Sequence, residues 1–442
     1  MLIYLILLVM SVFLGTEFLA VQTPIAQLTL YRVLALLLPV VLVIELAFRR
    51  RELTWRFDQY AGYAAGADAF WWLWALLSGL WALDMKHWLQ AIFLLTLGVF
   101  SVWALYLLVN RWQVWRQLAT AMWLSMSGLL ALGYVEILTN HYFFADMSKL
   151  DKLGTFASQP LTRIPITIFA NQNDYGIMLV AYLALSVCMF YLFRTPWGKI
   201  ASLGALPATF FLVLRTGSRM AVLASLIFAV IYLLTAFRWD LTHQQWWLVV
   251  ILGSLAIVAA VVLVPPIARK LLSLFDQAFR GRLSGDTVRL NLMREGLVFL
   301  AETFGLGVGA GNIEVWMERY RELRTNGIVN IHHWWLEILV GYGIPVFLAY
   351  TSAYLFLLYR LLVRRLTLAG PKRAIACSLA AFMVAFIPAS TTSANNLLIE
   401  WHWVFFGLLI AFVKLLEQDE RQHKRQKGRL EREQDEFIHI IE

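Results

Sequence analysis

Charge is scarce in this chain. Only 15% of its 442 residues are Asp, Glu, Lys or Arg, while 60% are hydrophobic and the mean hydropathy is +0.68. A water-soluble globular protein is excluded on those grounds, and a polytopic membrane protein is indicated. Cysteine is nearly absent: Cys188 and Cys377 both fall inside predicted spans, which removes a disulfide framework and disfavours a metal role. The N-terminus, MLIYLILLVMSVFLG, lacks the basic n-region and the small-residue cleavage site of a signal peptide, so it is expected to remain as a first span. No internal repeat is evident, and no soluble domain of ordinary size fits between the apolar runs.

Apolar runs of roughly 17 to 25 residues, the length a helix needs to cross a bilayer, recur along nearly the whole chain. They predict an all-α fold of about twelve spans, near 2–16, 25–48, 67–83, 88–109, 117–138, 174–193, 198–214, 219–237, 246–264, 333–359, 374–390 and 401–416. One integral membrane domain, 1–416, is followed by a charged tail, 417–442, expected to be a solvated helix. Alternate connections hold fourteen cations (Arg49 to Arg56, Arg111, Arg116, Arg194, Lys199, Arg238, and Arg360 to Arg373), against six on the opposite short loops. By the positive-inside rule both termini are expected in the cytoplasm. The net charge of +9 then reports topology and contact with anionic membrane lipid, and nucleic acid is not needed to explain it.

With that orientation the longest connection, about 265–332, is extracytoplasmic. Within it SGDTVRLNLMREGLVFLAETF places Val288, Leu292, Met293, Leu297 and Leu300 at helical spacing, as in a helix lying across the outer face. The unusual polar residues fall at the same outer ends. RTGSRM sets Arg215 and Arg219 in a short turn, where an interfacial arginine either snorkels to lipid phosphate or builds an anion site. Guanidinium forks match phosphate oxygens, and Arg289 on the outer helix could join them; Arg294 is a weaker candidate. FANQNDYG opens a span with Asn171, Asn173 and Asp174, read first as a helix N-cap and second as part of a pocket.

GLGVGAGN, Gly305 to Asn312, has the glycine spacing of a dinucleotide fingerprint without its βαβ context. It reads better as backbone that packs closely on the spans or lines a cavity. NIHHWWLEILVGYG, finally, puts His332 and His333 at the outer start of a span, with Glu337 four residues past His333 and on its helical face. Taken alone, two interfacial histidines are more often anchors than catalysts. On the same face as several arginines, a neutral imidazole is suited to take a proton from an attacking hydroxyl. No His, Cys or carboxylate set shows metal-ligand spacing.

These motifs resemble the O-antigen ligase and polymerase superfamily of bacterial envelope glycosyltransferases. IHHWWLEILVGYGIPVF is similar to that family's His-Asn-x-x-Leu-x-x-Leu-x-x-x-Gly signature, with His332, Leu336, Leu339 and Gly343 matching and His333 where Asn is usual. RTGSRMAVL resembles its Ser-Arg-Gly/Ala segment, FANQNDYG its Asn-x-Asn-Asp segment and FGLGVGAGN its Gly-x-Gly-x-Gly-Asn segment, in the same order over about 165–350.

The resemblance implies a glycosyltransferase of GT-C-like membrane architecture, with a large outer loop closing over an active site that faces outward from the bacterial plasma membrane. It implies an undecaprenyl-diphosphate-linked glycan donor, a glycan acceptor, and no metal or other cofactor. His332 would be the general base, and Arg219 and Arg289 would hold the diphosphate, with Arg215 as a less secure addition. His333, Glu337, Asn171, Asn173 and Asp174 would be supporting residues. A repeat-unit polymerase making capsule, exopolysaccharide or O-antigen, served by a chain-length regulator and a flippase, is the favoured reading. A ligase moving the finished chain to lipid A core stays close to it, and a lipid-linked sugar transporter or flippase is the rival from another class.

Overall fold

Fourteen α-helices and one short antiparallel ribbon make up the described residues, which are 1–15, 20–22, 27–49, 58–144, 163–237, 285–392 and 397–441 of a computed structural model. Helix α1 (Leu2–Ser11) leads through strands β1 (Val21–Gln22) and β2 (Gln27–Leu28) to α2 (Leu30–Leu36) and α3 (Leu38–Arg49). Then come α4 (Gln59–Leu77), α5 (Met85–Leu108), α6 (Trp112–Thr139), α7 (Gln172–Leu192), α8 (Pro196–Thr216) and α9 (Arg219–Ala236). Two helices without enough apolar length to span follow, α10 (Gly285–Glu302) and α11 (Ile313–Tyr320), before α12 (Trp334–Arg364), α13 (Gly370–Ala389) and α14 (Glu400–Ile441).

Seven of the described helices, α5 to α9, α12 and α13, are long and apolar enough to cross a membrane. The pair α2 and α3, bent by 46°, makes an eighth if counted as one span. The chain is therefore an all-α, multi-pass membrane protein. Eleven of the twelve runs read from hydropathy coincide with helices; the ninth, 246–264, lies outside the described residues, as does 265–284 of the long connection. The third run was placed too late. Helix α4 starts at Gln59, because its first half is alanine and glycine, whose low hydropathy hides a face that packs closely: Ala61, Ala64, Ala65 and Ala67 are all buried.

One end of the bundle is held by α14, which continues without a break past Glu417. Within a single turn Glu417 accepts from the Tyr60 N–H at 2.9 Å, Asp419 pairs with Lys372 at 2.5 Å, Glu420 with Arg360, and Arg421 with Asp58. Three other elements, α4 with its N-cap Asp58, α12 and α13, converge there. One turn earlier the buried Lys414 donates to the carbonyl of Tyr106 at 2.5 Å and to Asn110 Oδ1 at 2.6 Å, meeting the acceptor end of α5 with a cation.

At the opposite end, called here the loop end, α12 departs from the single straight span that its hydropathy predicts. Gly343 sits at φ +83°, ψ 177°, outside helical geometry, in a region open essentially to glycine alone. The halves on either side fold against each other. Trp335 and Tyr354 have ring centroids 5.0 Å apart, and Trp335 and Tyr350 5.8 Å, whereas residues 335 and 354 of a straight helix would lie about 28 Å apart along the axis. The segment 334–342 is thus a short re-entrant helix leaning on 344–364, and His332 and His333 precede it.

Candidate functional site

Two glycine-containing backbones set the architecture of the loop end. A Cβ built on Gly307 would meet the Gly343 nitrogen at 2.5 Å, and one built on Gly343 would meet the Leu306 carbonyl at 2.4 Å. No side chain fits at either place. The approach lets the Val308 and Gly309 N–H groups donate to the carbonyls of Val340 (2.9 Å) and Gly341 (3.0 Å), while Ile344 N–H donates to Gly305 (2.8 Å). Gly341 needs that partner because Pro345, four residues on, has no N–H to offer. On its other side the glycine segment accepts from Trp81 Nε1 at Gly307 (2.9 Å), and its Ala310 N–H donates to Ser78 Oγ (3.0 Å). Asn312 Oδ1 receives the Asp84 N–H at 2.8 Å. Close packing on the spans is therefore what these glycines do.

Helices α10 and α11 cover the re-entrant helix through a separate buried cluster that includes Val288, Leu292, Phe299, Met317, Ile331 and Val340. Gly296 of α10 lets the two helices approach: a Cβ there would lie 3.0 Å from Ile331 and 3.1 Å from Val340. Val288 and Ile331, both in this cluster, are the immediate chain neighbours of Arg289 and His332. Both site candidates are half-buried at its edge, whereas Arg294 is exposed.

The two histidines differ in what the fold asks of them. His333 is the N-cap of α12: its Nδ1 accepts the Leu336 N–H at 3.3 Å, so the ring proton belongs on Nε2. Burial pushes its pKa down, favouring the neutral form that the cap requires. His332 instead has φ +55°, a left-handed conformation that costs a side-chain-bearing residue energy. Its N–H is held by Asn330 Oδ1 at 2.8 Å, and Asn330 Nδ2 is tied in turn to Glu314 at 3.1 Å. Glu337 lies in the first turn of α12 and is buried, at 4% exposure.

Arg215 and Arg219 flank a tight turn. Gly217 ends α8 in the left-handed region at φ +68°, and Ser218 caps α9 through its Oγ and the Ala221 N–H. Arg215, in the last turn of α8, meets a favourable helix dipole. Arg219, the first residue of α9, meets an unfavourable one.

Asn171 is the N-cap of α7, its Oδ1 accepting from the Asn173 and Asp174 N–H groups at 2.9 and 3.1 Å, with its own amide donating to Asp174 at 2.8 Å. The capping reading therefore holds for this motif. The segment entering α7 is fixed by the buried Glu136 of α6, which accepts from the N–H groups of Ile166 and Thr167. Gly176 then brings α7 against the arginine turn: a Cβ there would lie 2.7 Å from Ala221 and 3.6 Å from Ser218.

The fold thus joins the candidates in two groups. The Asn171 motif backs directly onto the Ser218–Ala221 turn beside Arg219. The glycine segment, Arg289 and His332 gather around the re-entrant helix. Helix α13 packs on α7, α9 and α12 and links the groups, and the carbonyl of Ser390 past its end receives the Trp334 N–H at 3.0 Å. Sequence reading missed the pair of buried Arg32 and partly buried Glu400, joined at 2.6 Å, with Arg32 also donating to the Gln27 carbonyl at 2.5 Å. It missed the buried Asp68 and His402 as well. A lone charge within an apolar run was the available signal in each case.

Sequence comparison relates the chain to known proteins. The family model described as O-antigen ligase matches residues 203–351, which run from α8 through the arginine turn and the loop helices into α12. The chain is also similar to the teichuronic acid biosynthesis protein TuaE of Bacillus subtilis (strain 168), at 27% identity over 426 residues, covering 93% of this chain and 84% of that one. With the multi-pass helical fold and the motif order, these matches make the chain similar to the O-antigen ligase and polymerase superfamily and support a role in polysaccharide synthesis at a membrane.

Proposed function

We propose that the chain polymerises undecaprenyl-diphosphate-linked oligosaccharide repeat units on the outer face of the plasma membrane, with both termini in the cytoplasm and the loop end facing outward. The acceptor hydroxyl attacks the anomeric carbon of the donor, the bond from that carbon to the diphosphate oxygen breaks, and the hydroxyl proton passes to His332. Attack opposite the leaving group inverts the anomeric centre. Arg219 and Arg289, with Arg215 beside the turn, hold the departing diphosphate; fixed guanidinium groups in a water-poor groove supply the charge stabilisation that such a leaving group needs.

The observation that carries this reading is the division of labour between the histidines. The Nδ1 of His333 is committed to the helix cap, so the neighbouring His332, in a strained conformation anchored through Asn330, is the imidazole assigned to the hydroxyl. The relative's name places it in teichuronic acid biosynthesis, which supports work on a polysaccharide and names no step. The family model's description favours the runner-up, a ligase carrying the finished glycan to lipid A core or another acceptor.

The test is glycan assembly by purified protein supplied with the lipid-linked oligosaccharide in EDTA, without ATP. Elongated lipid-linked chains support the polymerase. Product formed only when a second acceptor is added supports the ligase. Binding of the lipid-linked donor with no product under either condition would overturn both.

A further inference from the structure

A small, partly enclosed space lies between α4, α5, α12 and α14, behind the re-entrant helix and outside the groups assigned above. Its volume is about 30 Å³, enough for about two water molecules at roughly 10–15 Å³ each. Most of the lining is apolar, but Asp68 of α4 and His402 of α14 both face it, at 6% and 1% exposure. Neither imidazole nitrogen of His402 has a hydrogen-bond partner, nor does the indole N–H of Trp403, which also lines the space. Among the described residues no hydrogen bond or ion pair reaches the Asp68 carboxyl, and no lysine or arginine lines the cavity. The other titratable groups facing it are Tyr350 and Tyr354 of α12, with the Tyr354 hydroxyl already donating to the Met383 carbonyl; α5 contributes only Val102.

Buried polar atoms in native proteins find partners, and where no protein group supplies them water does. Here donors (indole and imidazole N–H) and acceptors (carboxyl and imidazole N) converge on a space sized for water. A bare metal cation suits it poorly, because a single carboxyl and N–H donors are not an oxygen cage. An isolated carboxylate there would be an uncompensated buried charge. Adding one proton removes the charge and turns the carboxyl into a donor that water can relay to a ring nitrogen of His402.

We propose that Asp68 and His402 form a water-bridged proton-binding site in this cavity, the proton residing on the Asp68 carboxyl and hydrogen-bonded through water to the imidazole. The site does not depend on glycan chemistry. It is coupled to the loop end by packing: the His402 ring lies edge-on to Trp334 at 5.1 Å and to Phe386 at 5.2 Å, and Trp334 is the residue directly after His333.

The experiment is infrared spectroscopy of the full-length protein in lipid nanodiscs at neutral pH, in H2O and after exchange into D2O. The expected result is a protonated-carboxyl C=O band that moves to lower frequency in D2O, is lost in Asp68→Asn, and changes frequency in His402→Phe. Asp68→Glu, which keeps a carboxyl, should move the band without abolishing it, and it substitutes for the Asn variant if that one fails to fold. A spectrum unchanged by either Asp68 substitution, a band unmoved by His402→Phe, or a band unaltered after D2O exchange would each overturn the site.

Discussion

Gly307 and Gly343 lie backbone to backbone, each at positive φ and each leaving no room for a methyl group on the other's side. This contact closes the loop onto the span at the place where α12 reverses, so the position of His332 depends on it.

Gly343→Ala should therefore be severely destabilising, combining backbone strain of about 1–3 kcal/mol with a steric clash, and should abolish product even where protein is recovered. Gly327 provides the control. It has φ +82° but nothing within 4 Å of its would-be Cβ, so Gly327→Ala should cost only about 1–2 kcal/mol. Thermal unfolding of both variants in the same detergent checks the difference; equal losses would show that the close approach does not matter.

The histidines should separate into a chemical and a structural role. His332→Ala is expected to lower elongation by about 10²- to 10⁴-fold while the protein still folds and inserts. His333→Ala should lose about 1 kcal/mol of stability, and His333→Asn, which keeps a capping oxygen, should restore it. Elongation at normal rate by His332→Ala would remove the general-base assignment.

Acid should act through His333. Its folded-state pKa lies below the ordinary imidazole value, so its contribution is fully present above the unfolded pKa of about 6.5 and is lost as pH falls through the lowered folded value. Protonation takes away the lone pair that accepts the Leu336 N–H. Melting temperature followed from pH 7.5 downward should fall more steeply for the native chain than for His333→Asn. Parallel curves would contradict the cap's role in the acid response.

Arg219 gives a test of fork against charge. If two guanidinium nitrogens grip the diphosphate, Arg219→Lys should be nearly as inactive as Arg219→Ala. Full activity in the Lys variant would reduce the role to simple charge.

Arg32 and Glu400 join α2 to the start of α14. Removing the acid, as in Glu400→Gln, leaves the buried Arg32 charge without its carboxylate and should cost about 3–5 kcal/mol. Replacing both by leucine should recover most of that loss, as read by unfolding of the single and double variants in a mutant cycle.

Much of the fold is legible in the composition because a bilayer demands long apolar helices and little else. Hydropathy located α5 to α9 and α13 to within a few residues, and capping chemistry identified Asn171. It failed where the governing quantity is contact instead of transfer to lipid. The alanine-rich start of α4 packs on neighbouring helices and is only weakly apolar. The break in α12 is flanked by signals, Gly343 and then Pro345, that are common inside apolar runs, and only its partner backbone at Gly305–Gly309 shows that the break is used.

By itself, then, the sequence determined that this chain is a bundle of membrane helices bearing a recognisable series of motifs, since side-chain hydrophobicity and helix caps are local properties. Tertiary structure alone decided that one span turns back at Gly343 against the Gly305–Gly309 backbone, and that Asp68 and His402 line the same small cavity. Each of these is a relation between segments remote along the chain, fixed by how closely two backbones can approach and by which buried polar atoms lack a partner.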